Sequence, residues 1–259
     1  MDHNANELVH FACSLADESG HIIKKYFRNN FDISTKADNT QVTEVDIKVE
    51  KKLTNLIKKK FDNHSVIGEE FSNEISTEMK NFQWVIDPID GTKAFINGKP
   101  TFGTLIALYD GATPVLGIIN QPILNERWVG CRNKTTFNGM TVETSKKVDI
   151  SKANLEATSP QMFSKNSYKK FLNLASTVNS VSWGSDCYAY GMLANGQIDI
   201  VCEDGLKYHD FAALVPIIQW SGGIITDWEG QELNHNSQGK VIASSNEEIH
   251  KKALEFLNK

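Results

Sequence analysis

The chain has 259 residues, enough for one large domain or two closely packed halves with a substantial core. A net charge of −5, with 23% charged residues of both signs, argues against nucleic acid or an anionic membrane as the main partner. No stretch approaches the length of a membrane span, and Met1 to Tyr26 holds no uninterrupted apolar segment. Cys13, Cys131, Cys187 and Cys202 are scattered without a C-x-x-C, so they are expected as reduced thiols in or near the core of a cytoplasmic protein. The histidines lack the close pairing of a zinc site, so any metal is expected to be held by oxygen.

Leu8, Phe11, Ala12, Leu15, Ile22, Ile23 and Phe27 recur at helical spacing and predict an opening amphipathic helix, which Gly20 weakens. Residues 29–42 are polar and aperiodic, a loop containing Lys36. From Thr43, the residues Val45, Val49, Leu53, Leu56, Ile57 and Phe61 share one face of a second helix. Thr43 with Asp46 resembles a capping box, which gives Asp46 a purely structural role. Ser65-Val66-Ile67 reads as a short strand ending at Gly68-Glu69-Glu70, and residues 72–81 as a polar surface loop. After the strand at 84–86, residues 104–108, 115–119 and 128–130 continue as strands. The hairpin signal Phe137-Asn138-Gly139 extends this antiparallel meander.

Residues 140–153 turn polar and charged, and mark a boundary between lobes. Beyond it, strands are expected at 155–158, 181–183, 198–202, 224–226 and 241–243. Helices are expected at 168–175, at 186–193 with Asn195-Gly196 as its stop, and from Asp210 to Gly222-Gly223 with a kink at Pro216. A last helix starts near Ser245, capped with Glu248. Helices, then sheet, then strands and helices mixed describe layered α and β rather than a regular βαβ series.

The stretch with the clearest chemistry is WVIDPIDGTKAF, Trp84 to Phe95. An apolar run ends in Asp87, Pro88 and Ile89 separate it from Asp90, and Gly91-Thr92 follow. Carboxylates at a strand end suit a hard divalent cation, and the free N–H groups of a helix start suit phosphate oxygens. The same pattern also serves as an Asp-rich turn that caps a helix. Asp46, Glu70, the Asp87–Asp90 pair and Asp210 all fall at element edges. Gathered without a cation, such acids would raise one another's pKa.

G-E-E at 68–70, W-x-I-D-P-I-D-G-T at 84–92, and D-x-A-A with a following G-G at 210–223 resemble the inositol monophosphatase family. That family sits in the lithium-sensitive, magnesium-dependent phosphatase superfamily, and the likeness spans nearly the whole chain. The resemblance implies an α+β fold, a layered α/β/α/β/α sandwich of the inositol monophosphatase and fructose-bisphosphatase type. It implies a single domain over 1–259, with a metal-binding lobe at 1–145 and a substrate-side lobe at 146–259. It also implies a homodimer, two or three Mg²⁺ ions per site and a small phosphate monoester as substrate. Glu70, Asp87 and the carbonyl of Ile89 would hold the first ion, and Asp87, Asp90 and Asp210 the second. Thr92 with Asp46 would orient and deprotonate the attacking water. The N–H groups of Gly91 and Thr92 would hold the phosphate, and Lys36 matches a loop lysine near the site. Positioning and electrostatics suffice for such a reaction, and no Ser, Cys or His nucleophile is needed. A non-catalytic binding module on this fold would be marked by loss of a metal ligand or of the Asp46–Thr92 pair, and each of those positions is filled.

Trp183 to Glu203, Asp90 to Phe95 and Gly205 to Ile218 are similar to the histidinol-phosphatase branch of that family. The inositol branch carries small uncharged residues where Asp186 stands. Glu203 matches the position that touches substrate hydroxyls in inositol enzymes. Histidinol phosphate carries an ammonium and an imidazole, so Asp186 beside Glu203 would favour it through charge-assisted hydrogen bonds. Asp186 also reads as a helix N-cap, and Tyr188 and Tyr190 as possible pocket walls. The expected substrate is histidinol phosphate, with inositol 1-phosphate or a range of sugar phosphates as the alternative.

Overall fold

A computed structural model describes residues 2–36, 40–71 and 82–259 of the chain. Helices α1 (Asp2–Tyr26) and α2 (Glu44–Lys60) form the first layer, and the apolar faces read from their sequences are the faces they bury. Between them, the stretch expected as loop contains an antiparallel pair, β1 (Ile33–Thr35) and β2 (Gln41–Thr43). Three-residue strands, the first fully exposed, leave no alternation for a sequence to display. The loop expected at 72–81 lies outside the described residues.

The second layer is a seven-stranded sheet whose spatial order is its chain order. It comprises β3 (Ser65–Gly68), β4 (Phe82–Asp90), β5 (Gly103–Asp110), β6 (Thr113–Gln121), β7 (Glu126–Cys131), β8 (Lys134–Phe137) and β9 (Met140–Val142). The β3–β4 pair is parallel and the remaining neighbours are antiparallel. Strand alternation divides its side chains cleanly. Trp84, Ile86, Ile106, Leu108, Leu116 and Ile118 pack on α1 and α2, whereas Val85, Leu105, Ala107, Tyr109, Ile119 and Trp128 face the opposite way.

On that opposite face lie α5 (Tyr188–Ala194), α6 (Tyr208–Phe211) and α7 (Leu214–Gln219). A five-stranded sheet follows, ordered β11 (Ser180–Trp183), β10 (Asn154–Ala157), β12 (Ile200–Glu203), β14 (Val241–Ser244), β13 (Ile224–Thr226). Strand β10 runs parallel to both its neighbours, and β14 antiparallel to both of its own. Helices α4 (Lys165–Ala175) and α8 (Glu247–Leu257) cover the outer face through Phe171, Leu174, Ile249 and Leu257. The middle core joins Val85 and Leu105 of one sheet to Val201, Val241 and Ala243 of the other. The five layers are therefore α/β/α/β/α.

The middle helices touch the first sheet backbone to backbone. Gly117 and Gly130 are cross-strand partners on β6 and β7. A Cβ on Gly117 would lie 2.2 Å from the Ala213 carbonyl, and one on Gly130 2.9 Å from the Ile217 backbone. The kink expected at Pro216 falls one turn earlier, where the helix divides into α6 and α7 at Ala212–Ala213. Pro216 has no N–H to return to the carbonyl of Ala212, four residues before it. The Tyr109 hydroxyl donates to that carbonyl instead, at 3.0 Å. The α8 cap is Asn246, whose side chain accepts from Ile249 N–H, rather than Ser245. Ser245 still belongs to the sheet edge, with its N–H on the Asp199 carbonyl. Among the described residues no helix is long and apolar enough to cross a membrane.

Candidate active site

The site begins with an irregularity in β4. Asp87 pairs with Leu105 and Asp90 with Gly103, so three steps on β4 match two on β5. This one-residue bulge matters because residues three apart on a regular strand point to opposite faces. Here Asp87 and Asp90 share the middle-layer face, while Ile89 between them enters the core under α1 and α2. Pro88 fits the bulge because it has no N–H to pair, and its carbonyl accepts from Thr104 Oγ1 at 2.9 Å. Asp87 Oδ1 accepts from Ile89 N–H at 3.0 Å. Strand β4 thus continues to Asp90, beyond the end expected at Asp87.

Helix α3 (Thr92–Ile96) starts immediately afterwards, with Gly91 as its N-cap at φ 84°. Two constraints demand glycine here. The left-handed backbone disfavours a side chain, and a Cβ would lie 2.8 Å from the Asp186 carboxyl carbon. Thr92 Oγ1 reaches both the Ile89 carbonyl at 3.1 Å and Asp46 Oδ1 at 3.4 Å. Asp46 thus stands beside Thr92 and also caps a helix. Its other oxygen accepts from Thr43 N–H and Thr43 Oγ1, the capping box that starts α2. Burial pushes its carboxyl up to about 6.

From the middle layer, α6 supplies Asp210. The sequence reading placed Asp210 at the helix start, but it is the third helical residue, and its carboxylate accepts from Lys207 N–H at 2.6 Å. Oxygens of Asp87, Asp90 and Asp210 lie within 4.8 Å of one another. Burial first, and then the neighbouring acids, hold the Asp87 and Asp90 carboxyls well above the usual carboxylate range. Cys187 N–H partly offsets this at Asp90, donating to Oδ2 at 2.7 Å.

The acid on the β3 side requires a correction. Glu69, not Glu70, brings a carboxylate oxygen within 4.8 Å of Asp87, together with a ring nitrogen of His209. Glu70 is turned aside. Its carboxylate accepts from Lys36 Nζ at 2.7 Å, and burial raises it to about 7. Lys36 also bonds Glu69 at 2.7 Å, so the loop lysine does meet the site. Adjacent glutamates in a turn are indistinguishable by sequence pattern, because only the path of the turn decides which side chain faces inward. His209 likewise qualifies the expectation of oxygen alone, since its neighbour Asp210 carries it to the edge of the cluster.

Glu69, Asp87, Asp90 and Asp210 offer hard oxygen donors whose charges oppose one another, a donor set that fits Mg²⁺. Two adjoining cavities share Asp90, Asp186 and Asp210. One, of about 190 Å³, is also walled by Gln41, Glu69, Asp87 and Thr92. The other, of about 140 Å³, is walled by Thr158, Tyr190 and Glu203. Glu203, buried at the end of β12, accepts from Thr158 N–H at 3.0 Å and the Tyr190 hydroxyl at 2.9 Å. Burial lifts it to about 7. Tyr190 therefore walls the pocket, whereas Tyr188 turns away and donates to Glu126 at 2.7 Å.

Asp186 is not the N-cap of α5, a position occupied by Cys187. It stands just outside the helix at φ 45°, held through Thr101 Oγ1 at 3.4 Å. Burial brings its carboxyl up to about 6, against the Thr101 hydrogen bond and the charges of Lys99 and Lys93. The sequence reading missed Thr101, Glu69, His209 and Glu50. Of these, Glu69 stood inside the G-E-E motif, and Glu50 left a trace as an acid on the apolar face of α2 one turn beyond Asp46.

Known proteins resemble this chain over most of its length. A model of the inositol monophosphatase family matches residues 4–259. The bifunctional phosphatase IMPL2 of Arabidopsis thaliana, named as chloroplastic, is 43% identical over 97% of this chain and 76% of its own. A histidinol-phosphatase of Chlorobaculum parvum is 31% identical over 92% of both chains. The solved structure of an inositol monophosphatase from Zymomonas mobilis has 40% identity and a TM-score of 0.89 over 98% of both chains. The chain belongs to the inositol monophosphatase family, whose enzymes are phosphatases that use Mg²⁺.

Proposed function

We propose that the protein hydrolyses histidinol phosphate to histidinol and phosphate. The observation that carries this reading is the placement of Asp186, fixed over Gly91 in the cavity that Glu203 also walls. Two carboxylates beyond the phosphate end of the site suit a cationic leaving group better than a neutral polyol. The 31% identity to a protein named histidinol-phosphatase supports the same reading. The 40% identity to an inositol monophosphatase favours inositol 1-phosphate as the second reading.

Glu69, Asp87, the Ile89 carbonyl, Asp90 and Asp210 are the proposed holders of two or three Mg²⁺ ions. Bound there, Mg²⁺ supplies charge neutralisation at the phosphate and leaving oxygens and lowers the proton affinity of water. Thr92, bonded to both Asp46 and the Ile89 carbonyl, orients the attacking water, and Asp46 accepts its proton through the Thr92 hydroxyl. The N–H groups of Gly91 and Thr92 point the phosphate for in-line attack. The water oxygen bonds to phosphorus as the P–O bond to the leaving group breaks, and the alkoxide takes up a proton from solvent water. Asp186 and Glu203 hold the departing alcohol by its cationic groups. Four free cysteines, three of them buried, suit the reducing cytoplasm, and a homodimer is the proposed assembly.

Phosphate release in Mg²⁺ from histidinol phosphate and inositol 1-phosphate, compared across wild type, Asp186→Asn and Asp90→Asn, tests the reading. Asp186→Asn should lower kcat/KM for histidinol phosphate by about tenfold to a hundredfold, the worth of a charge-assisted hydrogen bond. Inositol 1-phosphate turnover should change little, and Asp90→Asn should abolish both. A wild-type preference for inositol 1-phosphate would overturn the substrate assignment while leaving the metal chemistry intact.

A further inference from the structure

We infer that Glu50 is a positioning residue that sets cation affinity through the turn carrying Glu69. Among the described residues, Glu50 lies outside both groups of converging ligand atoms around Asp87. It is a buried acid, 1% exposed, whose two oxygens accept separately from the N–H groups of Glu70 and Phe71, each at 2.8 Å. Both bonds go to the backbone immediately after Glu69, so they fix the direction in which the Glu69 side chain leaves the turn. The turn fits around this carboxylate closely. A Cβ on Gly68 would lie 2.0 Å from Glu50 Oε1, so the absence of a side chain there makes room for the clamp.

Glu50 also connects the two halves of the site. It follows Asp46 by one helical turn on the same buried face of α2. Asp46 reaches forward to Thr92, while Glu50 reaches sideways to the 69–71 turn. A single rigid element thereby sets the water-orienting pair and the Glu69 carboxylate relative to each other. Groups that orient metal ligands without touching the metal commonly govern affinity by about tenfold to a hundredfold.

This inference rests on the reading that Glu69 holds the cation, and the experiment separates the two. Mg²⁺ binding is titrated calorimetrically in wild type, Glu69→Gln, Glu50→Gln and Glu50→Asp, with folding checked by circular dichroism and thermal melting. Gln at 50 keeps the shape but offers one acceptor oxygen where two are used, and Asp keeps the charge but withdraws it by a methylene. Each should weaken Mg²⁺ binding at least about tenfold. Raising Mg²⁺ should restore kcat towards wild type in variants that circular dichroism shows to be folded at the assay temperature before Mg²⁺ is added, which separates weakened binding from general destabilisation. If Glu69→Gln weakens binding while either folded Glu50 variant binds as wild type, the inference is wrong and the Glu69 assignment stands. Wild-type affinity in Glu69→Gln would sink both.

Discussion

Asp87 and Asp199 are both buried carboxylates, yet their surroundings differ in kind. Asp199 has its counter-charge built in: Lys147 Nζ and the Asn154 N–H both donate to its Oδ2 at 2.9 Å. Asp87 faces Glu69, Asp90 and Asp210, and burial and those charges together push it upward. The first acid fastens the stretch before β10 to the start of β12. The second belongs to a cluster that the chain leaves electrostatically incomplete. Where a protein completes its own charge balance, a buried acid acts as a structural fastener. Where it withholds balance at several converging oxygens, the remainder is left for a ligand.

The largest expected effect separates the two acids by activity. Asp87→Asn should lower kcat/KM about a thousandfold, the equivalent of about 4 kcal/mol of transition-state stabilisation. Asp199→Asn should stay within about threefold of wild type. Steady-state phosphate release at saturating Mg²⁺ measures both, and similar losses would erase the distinction.

His250 extends the comparison to a buried base with neutral partners only. Its ring nitrogens meet Thr226 Oγ1 and Ser244 Oγ at 3.0 Å each, and burial lowers its pKa from 6.5 to about 4. Between those values the unfolded chain binds a proton that the folded chain refuses, so stability falls as pH drops from about 6.5 to about 4. The ceiling is about 3 kcal/mol. Urea unfolding of wild type against His250→Gln across this range should show the variant losing less; parallel curves would contradict the assignment.

A smaller effect should change sign between the acids. With divalent cations chelated, Asp87→Asn removes one member of a repelling group and should stabilise the protein by about 1 kcal/mol. Asp199→Ala leaves the Asn154 N–H without its acceptor and should cost about 1–2 kcal/mol. The Lys147 contribution is discounted because that side chain is 43% exposed. Chemical unfolding in chelator reads both signs. The smallest effect belongs to Thr101→Val, which removes the hydroxyl beside Asp186. The discrimination proposed in favour of histidinol phosphate should fall about fivefold, a modest loss because the same hydroxyl also reaches the Gly184 carbonyl at 3.1 Å; an unchanged ratio would mean that Asp186 is held without it.

Much of this was readable in advance. Hydrophobic periodicity revealed α1, α2 and the meander because each buries one continuous face, and burial imposes a period on the residues. The motif at 84–92 identified Asp87, Asp90, Gly91 and Thr92, since close backbone approach and convergent acids need particular residue types. The short β1–β2 pair, the left-handed Asp186 and the cap at Asn246 were hidden, each depending on backbone geometry that several local sequences would adopt.

The sequence by itself determined that helices and sheets are layered, because burial imposes a pattern on the residues, and its motifs pointed by resemblance to the family and to Asp87, Asp90 and Asp210 as acids that could hold a cation. Tertiary structure alone decided how those residues meet. A one-residue bulge turned Asp87 and Asp90 to the same face. The path of the turn after β3 selected Glu69 over Glu70, with Glu50 reaching from α2 to fix it. Pattern records which side chains suit water or core; direction at a turn is set by contacts from elsewhere in the chain.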